Sequence, residues 1–410
     1  MKFIPIQMRK LLFLTSHNFA TNPRLVKEIK LSIKQNFHIQ VICFEFRNWS
    51  YEINRQIKKE LQDAGVLIHS IEAGRTHFME WILSVIREKS SRWFCSIFSN
   101  HISITADAVS RRTGLLISHL KYIEKVDLVI GHNTAALLPT IVAGKKFNCR
   151  KGFDIEDYHP GEGSNSYVSN LTKKLMIYTL PEMDYVSFAS PLIMQEVKKD
   201  VNTGYANWFP LLNYTFLSEF DIPENIKEGV VKLVWFSQNI NKGRGIELIL
   251  PYIKKHQHTI ELHLIGHINP EYFNNYLKGY TNIAIHQPLP QKDLHTFLAN
   301  FDIGLALEPA KDLNNELAVS NKILAYLQAG LFVIATDTPA QKLILQEYPE
   351  HGNYFNALPG DMEKVFSYVI DNIVLIRNRK TKRYHDFKKN NWEYASEILL
   401  NAWMPGAINK

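Results

Sequence analysis

The sequence predicts an α/β protein: two Rossmann-like, doubly wound domains facing each other across a cleft. Three observations carry that expectation. A chain of 410 residues exceeds what a single hydrophobic core usually serves. Short apolar, β-rich runs alternate with helical patterns, the order that builds parallel sheets with crossover helices. The alternation halts near Phe209–Asn213 and restarts at Lys232, giving halves of nearly equal size. The expected domains are 1–215 and 216–383. Residues 384–410 form a C-terminal helical segment expected to pack back on the first domain. Ligands of such sheets bind beyond the carboxyl ends of the strands.

In order, strands are expected at Leu11–Thr15, Ile39–Phe44, Val66–Ser70, Val126–Gly131, Gly152–Asp157 and Tyr185–Ala189. Helices are expected through Val26, Ile29 and Ile33, over Ala135–Gly144, over Leu171–Leu180 and over Pro191–Val197. Leu217–Gly229, rich in charge and bearing Pro223, reads as the linker. The second half offers strands at Lys232–Ser237, Glu261–Gly266, Ile283–His286, Ile303–Ala306 and Leu331–Ala335. Pro251 should kink or cut a helix over Ile246–Lys254. A last amphipathic helix, Tyr394–Trp403, follows a Lys/Arg-rich stretch from Arg377 to Lys389.

Composition narrows the partners. Hydrophobic residues make up 46% and charged residues 21%, ordinary for a globular protein. A formal charge of +7 points to an anionic partner, but at too low a density for nucleic acid. Cys43, Cys95 and Cys149 lie far apart without metal-type spacing, which reads as reduced thiols in a cytoplasmic protein. The apolar core Leu11–Leu14 is too short for an export signal, and no window approaches the ~20 apolar residues of a membrane span. One interval stands apart: His77–Lys121 sets Trp81, Trp93, Phe94 and Phe98 among Arg87, Lys89, Arg92, Arg111 and Arg112. That mixture suggests a face for an anionic membrane surface; the alternative is a packed helical pair.

The chemistry concentrates in Asn314–Thr338. Ser320 is a natural N-cap, Gly330 a left-handed stop, and Leu331–Ala335 a buried strand. Asn321 and Lys322 then lie in a first helical turn, where free N–H groups, the helix dipole and an ammonium converge on an anion. Gln238–Gly245 is a second phosphate cradle, with Gly243 and Gly245 alternating with Lys242 and Arg244; it has neither Walker nor dinucleotide spacing. Two cationic loops in one sheet suit a diphosphate. In the first half, His132 follows a strand, His17 lies in the loop after another, and Glu156, Asp157 and His159 cluster at a third. Such groups serve acid–base work or bind hydroxyls, or else have structural roles. Nothing resembles a Ser/Cys nucleophile motif or a metal site.

Together these segments resemble the group-1 glycosyltransferases of the GT-B fold, the retaining family-four type, over essentially the whole chain. VDLVIGHNTAALLP is similar to that family's strand-plus-histidine segment and FDIEDYH to its acidic strand end. WFSQNINKGRGIELI resembles the segment whose basic pair grips the donor pyrophosphate, with Gln238 at the usual arginine position, Lys242 at the lysine and Arg244 nearby. DIGLALEP and SNKILAYLQAGLFVIATD resemble the donor-binding end. The resemblance implies His132 as the active-site histidine, and Asp157 and His17, from their places in strand-end loops, complete the catalytic candidates. It places a nucleoside-diphosphate sugar on Gln238, Lys242, Arg244, Glu308, Glu316, Ser320, Asn321 and Lys322, without a metal. The implied reaction moves a sugar, with retention, to a glycan or lipid-linked acceptor in cell-surface polysaccharide synthesis. Its setting would be the cytoplasm or, peripherally, the inner membrane face. The alternatives are an inverting enzyme with Asp157 or His17 as base, and an inactive sugar-nucleotide-binding scaffold. The chain departs from the family at Ala325, where a glutamate is usual, and at Ala318, where its acidic companion falls, with Glu316 nearby.

Overall fold

The computed structural model describes residues 9–72, 74, 78–97, 101–163, 165–201, 207–224, 228–356 and 358–405. The chain divides into two compact units, Met1–Leu211 with Leu399–Lys410, and Leu212–Ile398. The C-terminal segment is thus shared: residues up to Ile398 belong to the second unit and the rest to the first. Leu217–Gly229, read as a linker, lies inside the second unit.

The first unit is built on a seven-stranded sheet. Its strands are β1 (Lys10–Thr15), β2 (His38–Glu45), β3 (Leu67–Glu72), β4 (Leu128–His132), β5 (Arg150–Ile155), β6 (Tyr185–Phe188) and β7 (Asn207–Pro210), in the order β3-β2-β1-β4-β5-β6-β7. The second unit holds a six-stranded sheet of β8 (Val231–Ile240), β9 (Ile260–Ile268), β10 (Ile283–His286), β11 (Ile303–Ala306), β12 (Phe332–Thr336) and β13 (Gly352–Phe355). Its order is β10-β9-β8-β11-β12-β13. Neighbouring strands pair in parallel in both sheets. The strand order therefore reverses between β1 and β4 in one sheet and between β8 and β11 in the other. Those reversals open the crevices where ligands of such sheets sit.

Local chemistry fixes the elements around the crevices. Ser320 caps the Asn321–Gln328 helix by accepting from the Lys322 N–H. Gly330 ends that turn at φ 72, and a Cβ there would lie 2.8 Å from the Lys380 carbonyl oxygen. The chain then enters β12, buried throughout. Pro251 does cut its helix, into a 3-10 turn at Ile246–Leu248 and a helix at Leu250–Lys255. The C-terminal segment forms two helices, Trp392–Ala395 and Glu397–Trp403. Trp403 is fully buried against Phe13, and its indole N–H donates to the Tyr185 hydroxyl at 2.7 Å.

Three cations of the basic stretch from Arg377 are buried and structural. Arg377 forks onto the buried Asp302 at 2.9–3.0 Å. Lys380 donates to the carbonyls of Ala299 and Phe301, and Arg383 to that of Gly330. These cations satisfy carbonyls at one end of the second sheet rather than face solvent.

Candidate functional site

In the first unit the reversal point is a buried charge network. His132 is the last residue of β4 and is fully buried, as is Glu28 from the Pro23–Lys34 helix. The His132 Nε2 lies 3.4 Å from Glu28, and its Nδ1 lies 3.4 Å from Glu156 and 3.7 Å from Asp154. Arg24, one helical turn before Glu28, clamps Asp154 with Nε at 2.5 Å and a second nitrogen at 2.7 Å. Its remaining nitrogen donates to the Leu211 carbonyl at 2.5 Å, and Ser187 also donates to Asp154. Burial works against an imidazolium here, but Glu28, Glu156 and Asp154 outweigh it and push His132 up to about 10. Burial also raises the Glu28 carboxyl, so the two titrate as a pair in which the surrounding carboxylates favour the proton on His132.

Beside it, the Thr15 hydroxyl at the end of β1 donates to the Asn133 side chain at 2.7 Å. Asn133 sits at φ 68, in a region non-glycine residues rarely occupy, so the turn after His132 is held by its surroundings. A small pocket lies alongside, bounded by Asn133, Thr134, Leu137, Glu156, Asp157 and His159. Asp157 is half-buried there, and His159 holds Glu162 at 2.9 Å. His17, in the loop after β1, is half-buried; burial and the nearby Arg112 hold its pKa below the usual histidine value, so its ring is largely neutral at pH 7.

Could the network hold a metal? Glu28, His132 and Asp154 present ligand atoms within 4.8 Å of one another. However, the Arg24 guanidinium already grips both oxygens of Asp154. The two nitrogens of His132 also face different carboxyl groups. The residues suit a resident guanidinium better than an added cation.

In the second unit the reversal point is cationic and open. The β8–β9 register shifts between Phe236 and Asn239, a bulge that brings Gln238 out to solvent. In the loop beyond, Lys242 and Arg244 are exposed, and the Gly243 N–H donates to Glu247 at 2.8 Å. Gly245 is left-handed at φ 89, and a Cβ there would meet the Leu307 carbonyl at 2.8 Å, so the loop lies close against the end of β11. From the loop after β11 comes an exposed lysine, Lys311, whose Nζ would be 3.3 Å from a Cβ on Gly243. At the start of the Asn321–Gln328 helix, Lys322 bonds Glu308 at 2.7 Å, and the Ser320 hydroxyl donates to the same oxygen at 2.7 Å. The Lys322 ammonium also lies 5.7 Å from the Trp235 ring. The Asn321 side chain accepts from Asn213 at 2.9 Å. Glu316 is half-buried in the short Leu313–Leu317 helix, Ala318 caps that helix, and Ala325 is buried.

The structure thus gathers Lys242, Arg244, Ser320, Lys322 and Glu308 at one sheet edge, and His17, His132 and Asp157 at the edge of the other. Four participants were not singled out from sequence: Arg24, Glu28, Asp154 and Lys311. The signal for the first two was present. Arg24 and Glu28 stand at i and i+4 beside Leu25 and Ile29, so they extend the apolar face rather than oppose it. Lys311 gave none, because only the fold brings its loop to Gly243.

No family model matches the chain, and no curated protein matches it by sequence. Solved structures do. A glycosyltransferase from Rickettsia africae superposes with a TM-score of 0.60 at 15% identity, over 96% of this chain and 100% of that one. HepE of Anabaena, in complex with UDP, gives 0.64 at 10%, over 97% and 99%. The fold is GT-B. A UDP-N-acetylglucosamine 2-epimerase from Listeria monocytogenes has it too, at TM-score 0.57 and 14% identity over 99% of each chain. Similarity at this level fixes architecture, and function has to come from the site.

Proposed function

We propose that this protein is a glycosyltransferase that takes a sugar from a nucleoside-diphosphate sugar and passes it, with retention, to a glycan or lipid-linked acceptor. The setting we propose is the cytoplasmic assembly of cell-surface polysaccharide. One observation carries the reading: four cations, Lys242, Arg244, Lys311 and Lys322, stand on the segments that follow β8 and β11 at the reversal point of the second sheet, with a capped helix start among them. In transfer, the bond from the anomeric carbon to the diphosphate oxygen breaks while a bond to the acceptor oxygen forms, and the acceptor's proton is released. The charge that appears on the departing diphosphate is what this cluster can stabilise. Glu308 keeps the Lys322 ammonium placed until a diphosphate competes for it. Because the network keeps His132 protonated, it acts as a fixed positive charge and donor rather than as a base. Should the reaction instead invert, His17 is the candidate base, its ring being neutral near pH 7.

A second reading, a sugar-nucleotide-binding scaffold, is favoured by Ala325 and by the engagement of Glu308 with Lys322. Incubation with a panel of sugar nucleotides separates the two. A transferase releases some nucleoside diphosphate and free sugar to water, and the anomer of the sugar reports retention. Binding in calorimetry without any release supports the scaffold, and absence of binding removes both.

A further inference from the structure

The aromatic-basic interval gains no role from the proposed reaction, yet its surface is unusual. The Phe78–Ile97 helix buries Ser84, Ser91 and Cys95, with Cys95 in a small core beside Ala108 and Leu171. The opposite side is apolar and open: Met79 is 67% exposed, Leu83 59%, Ile86 55% and Trp93 61%, with Phe94 alongside. At 3.6 residues per turn these positions fall on one face, a stripe of about 22 Å at 1.5 Å rise per residue. Contiguous exposed apolar surface of this kind marks a binding face. Phe98 lies outside the described residues.

We propose that this stripe lies on the surface of an anionic lipid bilayer. Charge decides the occupant. The chain's formal charge of +7 is carried by the first unit, in which Lys and Arg clearly outnumber Asp and Glu; in the second unit the acids slightly outnumber the bases. Two acids belong to this helix: Glu80 stands exposed at the rim in the first turn, and Glu88 turns away to pair with Arg92 at 2.5 Å. Lys89 stands exposed at its rim, and Arg87, half exposed, at the other side. A second copy of this chain would bring two basic surfaces together, which their repulsion opposes. Trp93 and Phe94, packed edge to face at 5.0 Å, are the residue types that settle at the headgroup boundary. No helix among the described residues is long and apolar enough to cross a membrane, so the contact is with a surface.

The structure also changes the balance of forces. Arg87 is bonded to Asp107 at 2.6 Å, Arg92 donates to the Ala108 carbonyl, and Arg112 donates to the Ser16 carbonyl while lying over Phe46. Most of the interval's cations are therefore engaged within the protein. Apolar insertion carries the attachment, and salt modulates it.

Cosedimentation tests this with the full chain and vesicles of phosphatidylglycerol and phosphatidylcholine. The wild-type protein should bind at low salt and weaken only several-fold as salt rises. The double variant Leu83→Glu, Ile86→Glu should bind at least tenfold more weakly with an unchanged thermal midpoint, since both side chains are exposed. Lys89→Gln should lose a few-fold. Failure of the wild type to bind at low salt overturns the proposal, as does a double variant that binds like the wild type. A wild-type dimer by light scattering that the double variant converts to monomer assigns the stripe to a second copy instead. Nucleotide titration of the same protein reports on the transferase reading separately, because vesicle binding requires no nucleotide.

Discussion

The two reversal points have the same topology and opposite electrostatics. In the first unit, Arg24, Glu28, His132 and Asp154 are sealed from solvent and pair by charge, Arg24 with hydrogen bonds to Asp154 and His132 facing Glu28 at 3.4 Å without one. In the second, Lys242, Arg244 and Lys311 stand exposed, and only Lys322 has an acidic partner close by. Burial makes the first set expensive to disturb, because a charge left without its partner there has no water to turn to. Exposure makes the second set cheap to alter but available to a ligand. A single strand order thus holds a buried charge network in one crevice and exposed cations in the other.

The sharpest way to break that contrast is to remove one member of the buried set. Replacing Arg24 by methionine keeps its length but leaves the buried Asp154 with only Ser187 and the more distant His132 as partners, and should lower stability by about 3–5 kcal/mol. Chemical unfolding measures it. A loss below 1 kcal/mol would mean that the network is solvated and that the two crevices do not differ in the way described.

The second effect depends on pH. Folded His132 keeps its proton up to about 10, whereas in the unfolded chain it is released near 6.5. Its contribution to stability is therefore complete below pH 6.5 and is lost as the pH rises through about 10, at up to about 1.4 kcal/mol per pH unit. Lys380, lowered to about 8 chiefly by burial, titrates in the same window with the opposite sign. The readout is therefore the difference between wild type and His132→Gln, measured from pH 6 to 10. Parallel curves would show that the imidazole is neutral in the fold.

Third in size comes the open crevice. Lys322→Ala and Lys242→Ala should each weaken binding of the cognate nucleoside diphosphate by about 1.5–3 kcal/mol, or roughly 10- to 150-fold. Lys242→Ala should leave stability within about 1 kcal/mol, as exposed charges do, whereas Lys322→Ala should cost more, because its ion pair with Glu308 is largely buried. Calorimetric titration alongside unfolding tests both halves of the statement. Unchanged affinity in both variants would remove the diphosphate from this edge.

How much of this was readable beforehand follows the same division. Strands that are continuous apolar runs, such as β1, β11 and β12, declared themselves, because only a sheet covered on both faces wants them. The outer strands β7 and β13 did not. Each has four residues, and β7 ends at Pro210 among exposed positions, so its sequence looks like a loop. The cationic loops of the second unit were legible because glycines and lysines at a strand end have a local meaning. The buried network was not, since its members come from a helix and two strands well apart in sequence. His132 looked like a group facing the ligand, and its burial emerges only when Glu28 and Arg24 are seen beside it. The stretch from Arg377 was legible only as Lys/Arg-rich: nothing local marks that three of its cations, spaced three apart, close over Asp302 and backbone carbonyls.

The smallest expected effect is a gain. Gln238 stands where the resemblance puts an arginine, on the outward side of the β8 bulge and exposed to solvent. Gln238→Arg removes no packing that the fold requires and adds a fifth cation to the edge that already holds Lys242, Arg244, Lys311 and Lys322. A charge so exposed is well screened, and an exposed pair contributes about 0.2–1 kcal/mol. Affinity for the nucleoside diphosphate should then rise by roughly 1.5- to 5-fold, and the gain should shrink as salt is added. Titrations at low and high salt, repeated in the Lys242→Ala background, would place the new guanidinium. A gain that persists in that background means the arginine reaches the diphosphate by itself. One that disappears means Lys242 anchors the ligand and the bulge merely assists. A loss of affinity on adding the arginine would show that this edge does not take an anion at all, and the contrast between the two crevices would have to be redrawn.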